Sequence, residues 1–361
     1  MPLWVPGLQL PTVSNPYNDS NFRKMVSLIT PSFNSAAYVE ATYQSILRQT
    51  NPNWEWIIVD DGSSDHTLDL LGQYAASDSR IRFYKRANLP KGATTCRNEA
   101  VAVSRGEYLI FLDTDDILAS FCIEQRLQGI IHNPEADFVV FQMLHFQERT
   151  DDLRLLWNMA DSRDDLERAI RLNPVMAGSS TIWKKSSFIE IGLWDPKILI
   201  NQDIELHIRA ICKGCAYKLL LDLPPDLYVR NVPTSISRAK KKSQEKQRSR
   251  VYYYQQIAAH IDQSGQTERY RAALNWLLLK LYFDLIFDRE PEIAEQLWQN
   301  QPGITARLSG AYQWLHRLIR SSGYYGYFWV AMIRFLNRSF QKLNGNSGNT
   351  FAQHNYPGPV E

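Results

Sequence analysis

Tyr108-Leu109-Ile110-Phe111-Leu112 runs directly into Asp113-Thr114-Asp115-Asp116. A continuous apolar run of this length suits a strand buried on both faces, and such strands belong to parallel sheets covered by helices on either side. The chain before it repeats the alternation that such a sheet requires. Val26-Ser27-Leu28-Ile29-Thr30 is short, β-rich and stopped by Pro31, after which Val39, Tyr43, Ile46 and Leu47 recur at helical spacing. Trp56-Ile57-Ile58-Val59 leads into Asp60-Asp61-Gly62-Ser63-Ser64-Asp65, whose Ser and Asp suit a helix N-cap before Leu68, Leu71 and Ala75. A third strand over residues 81–84 precedes a turn containing Gly92 and a helix over residues 93–104. The expected fold class is α/β, with a mainly parallel central sheet flanked by helices.

Open sheets of this kind hold ligands beyond the carboxyl ends of their strands. That rule singles out the loops that begin at Pro31, Asp60 and Asp113. Three carboxylates as close as Asp113, Asp115 and Asp116 repel one another, and a divalent cation with hard-ligand preference, Mg²⁺ or Mn²⁺, is the usual compensation. An acidic turn at a strand end equally serves as a loop or a helix cap.

Composition bounds the organisation. The chain has 361 residues, with 40 Lys and Arg against 38 Asp and Glu and a net charge of +2, so no global charge draws it to nucleic acid. Single cores stop growing at about 250–300 residues, which predicts one catalytic unit with an appendage. Cys96, Cys122, Cys212 and Cys215 lack the second close pair that a four-cysteine zinc site needs, and they read as reduced structural thiols. Residues 1–21 lack a basic start followed by an apolar core, so they form an irregular leader and not a secretory signal.

After Ser237 the character changes. Arg238, Lys240, Lys241, Lys242, Lys246, Arg248 and Arg250 face the single acid Glu245, a solvated basic stretch. The chain beyond it reads as helical to about residue 343. The expected organisation is a leader over 1–25, the catalytic domain over 26–237, a basic linker with a helical C-terminal region over 238–343, and a disordered tail over 344–361.

Read in order, the motifs resemble glycosyltransferase family 2, whose members have the GT-A, Rossmann-like fold. The matching pieces are residues 26–34, then Ile58-Val59-Asp60-Asp61-Gly62-Ser63-Ser64-Asp65, Lys91-Gly92 through Cys96-Arg97-Asn98, and Arg105-Gly106-Glu107-Tyr108 running into Asp113-Thr114-Asp115-Asp116. Gly192-Leu193-Trp194-Asp195 and Gln202-Asp203-Ile204-Glu205-Leu206-His207-Ile208-Arg209 resemble the acceptor-side segment.

The resemblance implies an inverting transferase that moves a sugar from a nucleoside diphosphate donor, UDP by family frequency, to a hydroxyl of a saccharide or lipid-linked acceptor in cell-surface polysaccharide or glycolipid synthesis. It implies Mn²⁺ or Mg²⁺ as cofactor. It assigns Pro31, Phe33 and Asp61 to the base with Asn34 and Asp60 beside them, and Arg97, Asp113 and Thr114 to the diphosphate, ribose or sugar. Asp115 then holds the metal with Asp116 as second ligand, and Asp203 is the general base. Phe33 stands where the family often has Tyr, and it reads equally as a core aromatic. Gln202 replaces the Glu common before the catalytic Asp, a change expected to leave Asp203 easier to ionise. A His that many relatives carry is absent from Tyr228-Val229-Arg230-Asn231-Val232-Pro233, which leaves either Arg230 to offset some diphosphate charge or the metal to rely on Asp115 and water.

Two other readings stand beside this one. A catalytically inactive sugar-nucleotide-binding protein would share the fold, and a sugar nucleotidyltransferase would need a Gly-rich basic loop that Pro31-Ser32-Phe33-Asn34 does not provide. In the extension, Arg334, Arg338 and Lys342 fall on one helical face and Phe328, Met332, Phe335 and Leu336 on another. This suits either an interfacial helix on an anionic membrane surface or a helix packed on the catalytic domain. The expected location is cytoplasmic, with peripheral attachment to the inner membrane face under the first alternative. Residues 274–287 fit the packed alternative.

Overall fold

The computed structural model describes residues 25–231 and 243–299, with single positions at 313, 317, 356, 358 and 360. The N-terminal half alternates as expected: β1 (Val26–Ser32), α1 (Val39–Leu47), β2 (Trp54–Asp60), α2 (Thr67–Ser77), β3 (Ile81–Lys85), α3 (Ala93–Val103) and β4 (Tyr108–Phe111). It continues through β5 (Ile117–Leu118), α4 (Cys122–Ile131), β6 (Phe138–Phe141), β7 (Met143–Phe146), β8 (Leu155–Leu156), α5 (Asp165–Ile170), β9 (Thr181–Lys184), α6 (Lys185–Glu190), α7 (Gln202–Cys212), β10 (Tyr217–Leu220) and β11 (Leu227–Arg230).

Among the described residues the main sheet has seven strands in the order β10-β6-β9-β4-β1-β2-β3. All of its pairings are parallel except those of β9, which runs antiparallel to both β4 and β6. A smaller sheet, β5-β11-β7-β8, joins the segment after β4 to the end of the domain. β2 is buried along its whole length, as a strand with covered faces must be.

Pro31 does not stop β1, which continues to Ser32 and pairs Pro31 with Val59 and Ser32 with Asp60. The reason lies in the register. Odd-numbered residues of β1 turn their backbone groups toward β4, where Leu112 donates to the Ile29 carbonyl at 3.0 Å and pairing with β4 ends at Ile29. The missing amide of Pro31 therefore falls beyond the last rung of that ladder, where a central strand tolerates proline.

At the opposite end of the sheet, Gly106 packs where a Cβ would stand 2.6 Å from the Met25 carbonyl oxygen and 2.6 Å from Ser27 Oγ. Buried Glu55 takes hydrogen bonds there from Ser27 Oγ (2.6 Å) and the Arg105 amide (2.5 Å). The Arg105-Gly106 motif is thus a packing feature remote from the carboxyl ends of the strands.

The C-terminal helices α8 (Gln244–Gln263), α9 (Thr267–Phe287) and α10 (Pro291–Gln299) form one apolar cluster with Leu166 and Ile170 of α5 and Ile204 and Ile208 of α7. Leu274 to Phe287 is packed, with Leu277, Leu278, Leu281, Tyr282 and Leu285 all buried. The basic stretch is only partly as expected. Residues 243–250 begin α8, and Arg250 is buried and pairs with Asp288 at 2.9 Å instead of lying in water. The leader, residues 232–242, the helix expected over 328–342 and, apart from three single positions, the tail over 344–361 lie outside the described residues. No helix among the described residues is long and apolar enough to cross a membrane.

Candidate active site

β4, β1 and β2 are neighbours in the sheet, so the loops that follow them open side by side at its carboxyl edge. Asn34 adopts a left-handed backbone (φ 48°), a conformation Asn tolerates better than most residues. From there its amide donates to Ser63 Oγ (2.8 Å) and its Oδ1 accepts from the Ser64 amide (2.8 Å). Asn34 thus ties the first loop to the second. Phe33, held between them, is 44% exposed with Lys91 Nζ 4.3 Å from its ring centroid. This rules out the core-aromatic reading and leaves an open ring face.

The two adjacent aspartates after β2 play different parts. Asp60 is buried and spends its carboxylate on its own loop: Oδ1 accepts from the Gly62 and Ser63 amides at 2.9 and 2.8 Å, and Oδ2 accepts from Ser63 Oγ. It shapes the loop beside the expected base site. Asp61 accepts from Arg86 Nε (2.5 Å) and the Gly92 amide (3.2 Å), both through Oδ1. Arg86 was not foreseen. It reaches Asp61 because β3 lies beside β2, which residue spacing alone does not reveal.

The acidic segment alternates. Asp113 and Asp115 are partly exposed, whereas Thr114 and Asp116 are buried. Thr114 Oγ1 shares a hydrogen bond with Ser35 Oγ (2.7 Å), and Thr42 Oγ1 donates to the carbonyls of Thr114 (2.9 Å) and Asp116 (2.7 Å). Asp116 is 4% exposed, and its Oδ1 accepts the Arg230 amide at 3.0 Å. The residue expected as second metal ligand therefore turns inward to join the acidic segment to β11, away from the face that Asp115 shares with Asp113. Burial and then the Asp113 charge push Asp115 up to about 6, and burial followed by Asp115 raises Asp116 well above the ordinary carboxylate range. Among the described residues no three Asp, Glu, His or Cys side chains converge to hold a cation.

Arg97 connects this segment to the start of α7. Its Nη2 donates to Asp113 Oδ1 (2.6 Å), its Nη1 donates to Gln202 Oε1 (3.3 Å), and its guanidinium carbon stands 4.9 Å from the Trp194 ring centroid. Asn98 fixes Trp194 by a reciprocal pair, donating to its carbonyl (2.8 Å) and accepting from its amide (3.0 Å). A Cβ on Gly178 would lie 2.9 Å from the Trp194 ring and 3.8 Å from Asp203 Cβ, so the indole and the start of α7 meet over a glycine. Trp194, Gln202 and Gly178 had no role from sequence, although the motifs containing the first two were visible.

Asp203 occupies the first turn of α7, behind Asn201 in a left-handed conformation (φ 52°). Its Oδ1 accepts from the Ile204 amide (3.0 Å), and its carbonyl accepts from His207 Nδ1 (2.7 Å). Burial raises its pKa, opposed by the Ile204 hydrogen bond and by Arg97. Burial is thus the largest influence on Asp203, and the neutral Gln202 adds no negative charge to it. Glu205 and Asp195, the other carboxylates of the segment, are engaged structurally. Glu205 accepts from Arg209 Nε (2.7 Å) and pairs with His260 of α8 (3.0 Å), while Asp195 accepts from Tyr252 Oη (2.8 Å).

Comparison with known proteins agrees with this architecture. Residues 27–192 match the family described as Glycosyl transferase family 2. The glycosyltransferase TuaG of Bacillus subtilis is 44% identical over 110 residues, which are 30% of this chain and 43% of that protein. The glycosyltransferase GlyG of Streptococcus pneumoniae is 27% identical over 164 residues, 45% of this chain and 53% of GlyG. WfgD of Escherichia coli, named as a UDP-Glc:alpha-D-GlcNAc-diphosphoundecaprenol beta-1,3-glucosyltransferase, is 37% identical over 109 residues, 30% of this chain and 42% of WfgD. The chain spans about half the length of the curated relatives it matches. Among solved structures, residues 1–349 of S. aureus TarS in complex with UDP-GlcNAc share the fold, with a TM-score of 0.59 at 16% identity over 88% of this chain and 92% of that one.

Proposed function

Because residues 27–192 form a glycosyl transferase family 2 domain, we propose that the protein transfers a sugar from a nucleoside diphosphate donor to a hydroxyl of a saccharide or lipid-linked acceptor, with inversion at the anomeric carbon. The observation that carries the reading is the Arg97 bridge, which ties Asp113 of the acidic segment to Gln202, the residue beside Asp203. Donor-side and acceptor-side groups are thereby held at one place. UDP is the nucleotide of choice because the name of WfgD includes a UDP-linked donor and TarS was solved with UDP-GlcNAc.

In this reading the exposed Phe33 ring stacks on the base, with Pro31 and Asn34 framing it and Asp61 accepting from it. Asp60 keeps that loop in shape. Arg97, Asp113 and Thr114 line the path toward the sugar, Thr114 through its backbone position. Asp115 with Asp113, and not Asp116, would hold Mn²⁺ or Mg²⁺, since these two carboxylates share the partly exposed face and repel one another. A bound divalent cation supplies positive charge against the leaving diphosphate. Asp203 removes the proton from the acceptor hydroxyl as that oxygen attacks from the face opposite the diphosphate. Its raised pKa makes it a stronger proton acceptor once ionised than an exposed aspartate.

Incubation with labelled UDP-sugars, Mn²⁺ and polyprenyl-diphosphate sugar acceptors tests the reading. The expected result is transfer with inverted configuration by NMR. Binding of the donor with neither transfer nor hydrolysis would leave the inactive sugar-nucleotide-binding alternative.

A further inference from the structure

Arg230 lies opposite the acidic segment in the smaller sheet. β11 pairs antiparallel with β5, Tyr228 against Ile117 and Leu227 against Leu118, which brings Arg230, at the end of β11, to the turn that carries Asp115 and Asp116. Two carbonyls hold the guanidinium: Nε donates to Asp115 O (3.0 Å) and Nη1 to Gln147 O (3.4 Å). Two aromatic faces flank it, Phe146 at 4.3 Å and Tyr38 at 5.4 Å from its central carbon. A guanidinium held by neutral carbonyls and ring faces keeps its full charge, unlike one paired bidentately with a carboxylate.

Two buried arginines give the contrast. Arg126 is fully buried and doubly bonded to Asp226 (2.9 and 2.6 Å), and Arg209 is bonded in the same way to Glu205 (2.7 and 3.1 Å). Each of those charges is spent within the fold. Arg230 instead is half-buried against the Asp115 backbone, with no salt bridge to a carboxylate, and no three Asp, Glu, His or Cys converge to hold a cation among the described residues.

We propose that Arg230 is a built-in cation for the donor's diphosphate, so that the nucleotide binds appreciably without metal and a divalent ion binds chiefly together with the nucleotide. This rests on the glycosyltransferase reading above. A fixed guanidinium forms strong charge-assisted bonds to phosphate oxygens. With only two outward carboxylates, the protein alone offers a cation too few ligands, and the diphosphate oxygens complete the set.

Calorimetric titration of the full chain with UDP, GDP, CDP and dTDP, each in EDTA and in Mn²⁺, tests this, alongside Mn²⁺ binding to the nucleotide-free protein followed by electron paramagnetic resonance. Arg230→Gln keeps a donor for the carbonyls but loses the charge, and Arg230→Lys keeps the charge. The expected results are a loss of about tenfold or more in the EDTA affinity of Arg230→Gln, near-normal affinity in Arg230→Lys, and weak Mn²⁺ binding until nucleotide is added. Equal EDTA affinity of Arg230→Gln and wild type overturns the inference alone, as does Mn²⁺ binding to the free wild type as tight as in the presence of nucleotide. Failure of the wild type to bind any of the four nucleotides, with or without Mn²⁺, overturns the inference together with the reading it rests on.

Discussion

The loops proposed to bind the donor and the helix proposed to face the acceptor are built on opposite plans. The loops after β1, β2 and β4 are held mainly by short polar contacts, such as Asn34 to Ser63 and Ser64, Asp60 to Gly62 and Ser63, and Thr42 to the Thr114 carbonyl. α7 is held by a buried charge network, Glu205 to Arg209 and His260, inside an apolar cluster that draws on α5, α8 and α9. The first plan leaves charged and aromatic groups facing out on a rigid edge. The second places one aspartate at the rim of a packed core. A substitution on the donor side should therefore change binding with little effect on stability, and one on the acceptor side should change stability unless it falls on Asp203 itself.

Asp115→Ala should break the donor side most severely. Metal-dependent transfer should fall below detection while the melting temperature stays within a degree or two, since the residue lies on a loop outside the core. Calorimetry with Mn²⁺ and differential scanning fluorimetry together check both halves, and unchanged metal dependence would remove Asp115 from the site.

On the acceptor side, Glu205→Ala strands the buried Arg209 guanidinium. The loss should be about 3–5 kcal/mol by chemical denaturation, the range for breaking a buried pair from one side. His260→Ala should lose less, because Arg209 keeps its partner.

The pH dependence of that stability can be signed from His207. Its Nδ1–H donates to the Asp203 carbonyl, and burial among Phe138 and Trp183 lowers its pKa from 6.5 to about 4. The folded state thus refuses a proton that the unfolded state accepts. The stabilisation is fully present above pH 6.5 and is lost as pH falls from 6.5 toward 4, by roughly 3 kcal/mol over that window. Because the raised Asp115, Asp116 and Asp203 carboxyls contribute the opposite slope, the slope is read as the difference between wild type and His207→Asn in urea denaturation across pH 4 to 7.

Asp203→Asn separates chemistry from capping. Transfer should fall by about a hundredfold or more, with donor affinity and melting temperature close to wild type, because Asn keeps a side-chain oxygen to accept from the Ile204 amide. Near-normal transfer would end its candidacy, and neither Glu205 nor Asp195 is free to replace it.

The smallest expected effect is at Phe33. Replacement by Ala should weaken nucleotide binding by about twofold to tenfold, the usual worth of one stacked ring. A larger effect on stability than on affinity would mean that the ring packs on the protein.

Much of this was legible in the sequence. Trp56–Val59 of β2 and Tyr108–Phe111 of β4 are continuous apolar runs, as covered parallel strands are, and the β-rich stretches of β1 and β3 are bounded by helical patterns. β9 was not, because Thr181-Ile182-Trp183-Lys184 carries no mark of its antiparallel direction, and β5 and β8 are two-residue pairings that exist only by virtue of β11 and β7. Within the acidic segment the residue types were clear but their facing was not, since the turn after β4 decides that Asp113 and Asp115 point outward and Asp116 inward. Glu205 and His260 meet across 55 positions, a contact that no local pattern announces. Nor does any local pattern show that burial raises the pKa of Asp203.

The apolar cluster shared by α5, α7, α8 and α9 limits how the protein can be cut and recombined. The family match ends at residue 192, before α7, and the change in composition near residue 238 comes before the helices that cover Leu166, Ile170, Ile204 and Ile208. A fragment trimmed at either point would present that face to water and invite aggregation. A chimera meant to change the donor should therefore exchange only the loops at the carboxyl edge of the sheet, whereas one meant to change the acceptor must carry α5, α7, α8, α9 and α10 across as a single graft.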